Sequence, residues 1–384
     1  MSMPIAINRR PRIFRASALP TLPEATPTRD PAAFHARLPG YAPSPLLDAP
    51  AIARSLGLER LWVKDESSRL GLPAFKILGA SWAVHRATAA ALRARTGVEI
   101  GGWATVEDLA RALAPLRPLT LACATDGNHG RAVARMARLL GFAARVYVPA
   151  DMAPVRIDAI TGEGAEVVVF PGSYDDAVAR SAAEAGDDCL VISDTSWPGY
   201  VDVPGWVIEG YSTILWEIDD ELARRGEPGP DLVAVQIGVG AFAAAAIRHY
   251  RRAGVQPRPF MLGVEPTKAA CALASMEAGR IVALPPPHDS IMSGLNCGTP
   301  SPLAWPLLAR GLDAFIAVED DAARRAMQEL AGAGIVAGEC GAAGLAGVRS
   351  WRDDFGGDLS GRRALIVSTE GATDLAAYSK IIDG

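Results

Sequence analysis

Lys76 lies in the run Gly71-Leu72-Pro73-Ala74-Phe75-Lys76-Ile77-Leu78-Gly79-Ala80, an amine set among aromatic and aliphatic neighbours. Burial in such surroundings disfavours the ammonium and favours the neutral amine, the form that condenses with a carbonyl. A lysine whose stem follows apolar surface while its head stays in water would show the same local sequence. A second cluster, Thr125-Asp126-Gly127-Asn128-His129-Gly130, gathers a hydroxyl, a carboxylate, an amide and an imidazole. Its small residues offer backbone N–H groups to an anion and Asn128 adds a directed amide, although an Asx turn with a helix cap uses the same residue types. His129 by itself reads as a hydrogen-bonded structural group rather than a catalyst. The third segment is Gly238-Val239-Gly240-Ala241-Phe242-Ala243. No Lys-Ser/Thr follows it and the Gly-x-Gly-x-x-Gly spacing is incomplete, so it suits a monophosphate better than a nucleotide; a plain tight turn is the alternative.

Elements that can hold these loops are written in the alternation of apolar runs and helical patterns. Leu119–Cys123, Arg145–Val148, Ala165–Phe170 and Leu190–Ser193 read as short strands, with helical patterns over Arg131–Leu140 and Tyr174–Ala185. A second series runs through Leu232–Gln236, Met261–Val264, Ala314–Val318 and Ala364–Ser368, with a helix over Ala241–Arg252. This βαβ grammar predicts an α/β protein with two doubly wound parallel sheets. Ligands of such sheets bind outside the carboxyl ends of the strands, which points to the residues after Ala124, Ser193, Ile237 and Val367. The Trp-, Pro- and Gly-rich stretch from Asp194 to Gly205 reads as a crossing between two domains.

The chain has 384 residues, enough for two domains, and a net charge of −5 that provides no basic footprint for nucleic acid or anionic membrane. A small-molecule partner is the expectation. No apolar run approaches the ~20 residues that span a bilayer, and no secretory signal is legible, so the expected compartment is the cytoplasm. The Pro-rich residues 1–45 read as an N-terminal arm. The five cysteines form no metal-binding spacing, and no metal is expected.

Taken in order, Ala74-Phe75-Lys76, the Asp-Gly-Asn-His-Gly loop, Gly238–Ala241, Val264-Glu265-Pro266 and Ser368-Thr369-Glu370-Gly371 resemble the fold-type II (tryptophan-synthase-β-like) enzymes that use pyridoxal 5'-phosphate (PLP). Within that group the chain is most similar to the diaminopropionate ammonia-lyases, from about Leu46 onward. Asp194-Thr195-Ser196-Trp197-Pro198-Gly199-Tyr200, Ile291-Met292-Ser293-Gly294-Leu295 and Gly338-Glu339-Cys340-Gly341-Ala342 carry that likeness. The resemblance implies a large PLP-binding domain from 1–80 and 200–384, a smaller α/β domain over 81–199, and an active site in the cleft of the two. It further implies a homodimer acting on an amino acid.

By the same resemblance Lys76 carries PLP as a Schiff base, with Phe75 beside it. Asn128 contacts the ring hydroxyl, Gly238, Val239, Gly240 and Ala241 cradle the phosphate, and Ser368 or Thr369 faces the pyridine nitrogen. Glu265 either sits near the cofactor or closes a strand end. Thr125, Asp126, Gly127 and Asp194 are expected at the substrate, with Asp126 and Asp194 as bases toward the D and L enantiomers. The implied reaction is elimination of 2,3-diaminopropionate to pyruvate and two ammonia. Dehydration of serine, threonine or 3-hydroxyaspartate is the alternative, and a non-catalytic PLP-binding protein a more distant one. Ser/Thr dehydratases usually carry Ser where Asp126 stands, so the extra carboxylate favours a cationic substrate group. Cys271 and Cys297 match positions that can pair as a disulfide in this family, although reduced thiols are the expectation in the cytosol. Ala74, Cys340 and Ala372 depart from the commoner family residues.

Overall fold

The computed structural model describes residues 12–15, 27–125, 127–172 and 174–384. Asp126 lies outside the described residues. The strands are β1 (Arg12–Arg15), β2 (Leu46–Asp48), β3 (Arg60–Asp65), β4 (Thr120–Ala124), β5 (Ala143–Pro149), β6 (Glu166–Phe170), β7 (Cys189–Val191), β8 (Leu232–Gln236), β9 (Phe260–Pro266), β10 (Ala314–Val318) and β11 (Arg363–Ser368). They form two sheets, with orders β1-β10-β9-β8-β11-β3-β2 and β6-β5-β4-β7. The five inner strands of the larger sheet are parallel, and β1 and β2 add to its edges antiparallel. The smaller sheet is parallel throughout.

Every residue of β8 and β10 is buried, as expected of parallel strands covered on both faces. On one face Val63, Ala234, Val264 and Ile316 share a core with Leu345 and Val348 of the helix Ala343–Asp353. In each sheet the strand order reverses once, between β4 and β7 and between β8 and β11. Loops leaving the carboxyl ends of such neighbours diverge and open a place for a ligand. The Thr125–Gly130 loop and Asp194 follow one such pair; the Gly238 loop and Ser368–Gly371 follow the other.

The chain divides into two compact units. One comprises Pro43–Ser68 and Ile214–Gly384 with the described part of Met1–Pro27; the other comprises Thr28–Ala42 and Arg69–Thr213. The second unit is wider than the segment 81–199 expected from the sequence. Its extension at the N-terminal side follows from the helix Asp30–His35, which the Pro-rich sequence conceals. His35 is fully buried, with Nδ1 hydrogen-bonded to Thr213 Oγ1 at 2.8 Å and Nε2 to the Leu78 carbonyl at 3.0 Å. Phe34 stacks on His85 with ring centroids 4.7 Å apart. At the other boundary the chain passes from unit to unit inside one continuous helix, Asp202–Arg225, rather than in the stretch from Asp194 to Gly205.

The helix Asn128–Leu140 is fastened by charge. Arg131, Arg135 and Arg138 recur at helical spacing and all reach the buried carboxylate of Glu163, at 3.3, 2.6 and 2.9 Å. Burial alone would raise Glu163, but the three guanidiniums hold its carboxyl below the usual range. A helix anchored in this way presents its first residues, Asn128 and His129, at the end of β4 in a fixed position. Among the described residues no helix is long and apolar enough to cross a membrane.

Candidate active site

The chain has four lysines, and they differ in their surroundings. Lys64 is fully buried against Glu217 at 2.7 Å, Lys268 bridges Asp289 and Asp320 near the surface, and Lys380 lies on the C-terminal helix. Lys268, just beyond β9, is half-buried like Lys76 but is held by two carboxylates, whereas the half-buried Lys76 faces Asp194 beyond β7. Lys76 is the first residue of the helix Lys76–Thr96, and its Nζ donates to Asp194 Oδ2 at 2.6 Å. Tyr211 packs against Phe75 with ring centroids 4.6 Å apart. Gly79 makes this possible, because a Cβ there would come within 2.5 Å of the Tyr211 ring.

Asp194 stands three residues beyond β7 and is 4% exposed. Burial pushes its carboxyl up, yet the Lys76 ammonium, the neighbouring His129 and the Lys76 hydrogen bond outweigh that push and hold it at about 2. It is therefore an ionised carboxylate at neutral pH. Its other oxygen faces the Tyr174 hydroxyl at 3.4 Å. His129 donates from Nε2 to the Ile192 carbonyl at 2.7 Å, which fixes the proton on that nitrogen. Burial, the largest influence, keeps the imidazole below its ordinary value, against the upward pull of Asp194. His129 is thus a neutral strut, as its sequence context suggests.

In the same loop Thr125 Oγ1 accepts from Gly127 N at 2.9 Å and Gly130 N at 3.0 Å, so this hydroxyl shapes the turn. Gly127 has φ of 139°, and Asn128 opens the helix half-buried. The structure thus brings Lys76, Asp194, Thr125, Gly127, Asn128, His129 and Phe75 into one unit, and adds Tyr174 and Tyr211, which no motif in the sequence had marked. Tyr174 could be noticed only as a polar aromatic at a helix start; its partner is 20 positions away.

The other unit carries a second constellation. The Gly238–Ala241 loop leads from β8 into the helix Ala241–Tyr250, whose N-cap is Gly240 with φ of 99°. A Cβ on Gly238 would meet the Gly294 carbonyl at 3.1 Å and Cys297 Sγ at 3.3 Å, and one on Gly240 would meet Leu308 at 2.7 Å. Only glycine keeps this backbone both turned and closely packed. Beside the loop Gln236 is 3% exposed, and its Nε2 donates to the Cys340 carbonyl at 2.9 Å, the Val367 carbonyl at 3.0 Å and Thr369 Oγ1 at 2.9 Å. Gln236 ties the end of β8 to the end of β11 and positions Thr369; it too was unmarked in the sequence. Ser368 is fully buried, with its hydroxyl 3.3 Å from the Glu370 carbonyl.

The two oxygens of Glu265 accept from Ala272 N at 2.7 Å and Leu273 N at 2.8 Å, capping the helix Cys271–Ala278. Burial pushes its carboxyl up to about 7 against those two N–H donors. Cys271 and Cys297 are both buried and unbridged in this structure, and burial raises the Cys271 thiol.

A glycine loop at a helix N-terminus suits a phosphate, buried hydroxyls at a strand end suit a ring nitrogen, and a half-buried lysine suits attachment of a carbonyl once the ammonium that Asp194 holds here gives up its proton. These groups fit PLP. Two parallel sheets, each carrying chemistry at its switch point, define the fold-type II class of PLP enzymes. The pyridoxal-phosphate dependent enzyme family model matches residues 37–370. The chain belongs to this family, and within it to the diaminopropionate ammonia-lyases. It is 34% identical over 363 residues to the diaminopropionate ammonia-lyase of Escherichia coli K12, covering 91% of this chain and 89% of the relative. The solved structure of the E. coli enzyme with an aminoacrylate–PLP azomethine reaction intermediate superposes with a TM-score of 0.85, at 31% identity, over 98% of this chain and 97% of the other. Its complex with D-serine gives a TM-score of 0.87 at 32% identity, covering 97% of each. L-threonine dehydratase of Mycobacterium leprae is 30% identical over 267 residues, covering 68% of this chain and 58% of the relative.

Proposed function

We propose that this enzyme eliminates ammonia from 2,3-diaminopropionate, in the D form, the L form or both, to yield pyruvate and two ammonia. When bound, PLP supplies an electron-withdrawing ring that acidifies the substrate's Cα–H. Lys76 would hold the cofactor covalently through Nζ. Backbone N–H groups of Gly238, Val239, Gly240 and Ala241, reinforced by the helix dipole, would bind its phosphate. Asn128 would contact the ring hydroxyl and Phe75 would pack beside Lys76. Ser368 or Thr369 would offer the ring nitrogen a hydroxyl rather than a carboxylate, which leaves that nitrogen less protonated and suits a reaction in which the leaving group takes up the electron pair.

The observation that carries the reading is the Lys76–Asp194 pair at 2.6 Å, with a carboxylate held ionised by its neighbours. An ionised Asp194 can take the Cα proton of one enantiomer or hold the substrate's second ammonium. Asp126 would supply the other carboxylate, with Thr125 and Gly127 shaping its loop. The protein would work as a homodimer in the cytoplasm. The similarity to a threonine dehydratase supports a second reading, dehydration of a β-hydroxy amino acid. Incubation of the PLP-loaded protein with D- and L-diaminopropionate and D- and L-serine, following both products, separates the two. Diaminopropionate turnover with an ammonia-to-pyruvate ratio near two supports elimination of the diamine. Turnover of serine alone, with a ratio near one, would replace it with the dehydratase.

A further inference from the structure

The five inner strands of the larger sheet all begin at one cleft, opposite the end that carries the glycine loop. Its lining includes Glu59 before β3, Asp231 before β8, Phe260 in β9 and Asp313 before β10, and its volume is about 820 Å³. Five guanidiniums, of Arg251, Arg258, Arg310, Arg362 and Arg363, face three carboxylates there, which leaves an excess of two positive charges in a chain of net charge −5.

Two of the three acids are already engaged. Asp231 accepts from Arg363 Nε at 2.8 Å, Nη2 at 2.7 Å and the Arg363 backbone N–H at 3.0 Å. Asp313 accepts from Arg251 Nη2 at 2.6 Å and from Met261 N at 2.6 Å. These two pairs fasten the strand starts and account for Arg251 and Arg363. Arg258 and Arg310 make no ion pair among the described residues; Arg362 makes none within 4 Å, although its charge helps hold the Asp231 carboxyl down, and Glu59, the third acid, acts on Arg363. Guanidinium groups bind phosphate and carboxylate through two parallel N–H donors, and several converging on a concave site select anions that carry more than one such group. The volume lies within the range of small-molecule sites rather than that of a single bound ion.

We propose that this cleft is a binding site for a compact polyanion, a molecule bearing two or more phosphate or carboxylate groups, separate from the PLP site. Arg258 and Arg310 are exposed and Arg362 is half-buried, so their replacement leaves the core intact. The test is isothermal titration of the holoenzyme, its cofactor site saturated with PLP, with pyrophosphate and with citrate at constant ionic strength. The variants are Arg258→Gln/Arg310→Gln, Arg362→Gln and, as a charge-matched control on the other unit, Arg93→Gln/Arg111→Gln. Saturable binding that weakens at least about tenfold in the double variant, weakens in Arg362→Gln and persists in the control upholds the site. Tighter pyrophosphate identifies the phosphate source and tighter citrate the carboxylate source. Absence of saturable binding by either anion, or equal affinity in the wild type and both cleft variants, overturns the proposal.

Discussion

Replacing Asp194 by asparagine keeps the shape of the side chain and removes the charge that faces Lys76 Nζ at 2.6 Å. The wild-type carboxyl sits at about 2 instead of the ordinary 3.8, and Asp194 is 4% exposed, so little of this interaction is lost to solvent. Each pK unit is 1.36 kcal/mol, which sets the contribution of the ionised carboxylate to stability at roughly 2.5 kcal/mol at pH 7. The folded-state value is depressed, so this stability is complete above the unfolded value near 4 and is lost as the pH falls toward 2. At pH 3 about half of it remains. Urea unfolding of the cofactor-free wild type and Asp194→Asn at both pH values reads the difference directly, with the transition of the unit that contains Lys76 followed by its tryptophans. The variant is expected to be less stable by ~2.5 kcal/mol at pH 7 and by about half that at pH 3. A difference under about 0.5 kcal/mol at pH 7, or one that grows on acidification, would refute the claim that the ammonium holds this carboxylate.

Three further outcomes follow from the geometry. Asp194→Asn is expected to depress pyruvate formation from the L diamine far more than from the D form, and Asp126→Asn the reverse; equal losses for both enantiomers would dissolve the division of labour. Gly238→Ala places a methyl 3.1 Å from the Gly294 carbonyl and 3.3 Å from Cys297 Sγ, and a fluorescence titration should show PLP affinity reduced at least about tenfold; unchanged affinity would remove the phosphate from this loop. Gln236→Leu strips donors from two buried carbonyls and from Thr369, so unfolding should show a loss of about 1–3 kcal/mol, and a neutral result would mean that Gln236 does not tie β8 to β11.

The loops that bear chemistry were legible because their composition is local. Glycines at the end of an apolar run, followed by a helical pattern, locate β8 and Gly238–Ala241 without tertiary knowledge, and Leu232–Gln236 and Ala314–Val318 match the observed strands residue for residue. Lys76 was ambiguous until other motifs accompanied it. What could not be read is the set of partners created by sheet order. Asp194 reaches Lys76 across 118 positions because β7 lies beside β4 and the helix after β4 packs on the helix that Lys76 opens, and Gln236 reaches Thr369 across 133 because β11 lies beside β8. The helix Asp30–His35 was hidden for another reason: its Pro-rich surroundings resemble an irregular arm, and only the burial of Phe34 and His35 explains why it is ordered there. Glu265 drew attention by its neighbours in sequence, but its role depends on the start of a helix six residues further on.

The most direct measurement of the central claim is where the cofactor is attached. Borohydride reduction of the PLP-loaded protein, proteolysis and mass mapping must choose among Lys64, Lys76, Lys268 and Lys380. The reduced cofactor is expected on the peptide that contains Phe75-Lys76-Ile77, with Lys76→Ala abolishing both the label and pyruvate formation. A label on Lys64, Lys268 or Lys380, or a Lys76→Ala protein that still carries the reduced cofactor and turns over the diamine, would contradict it.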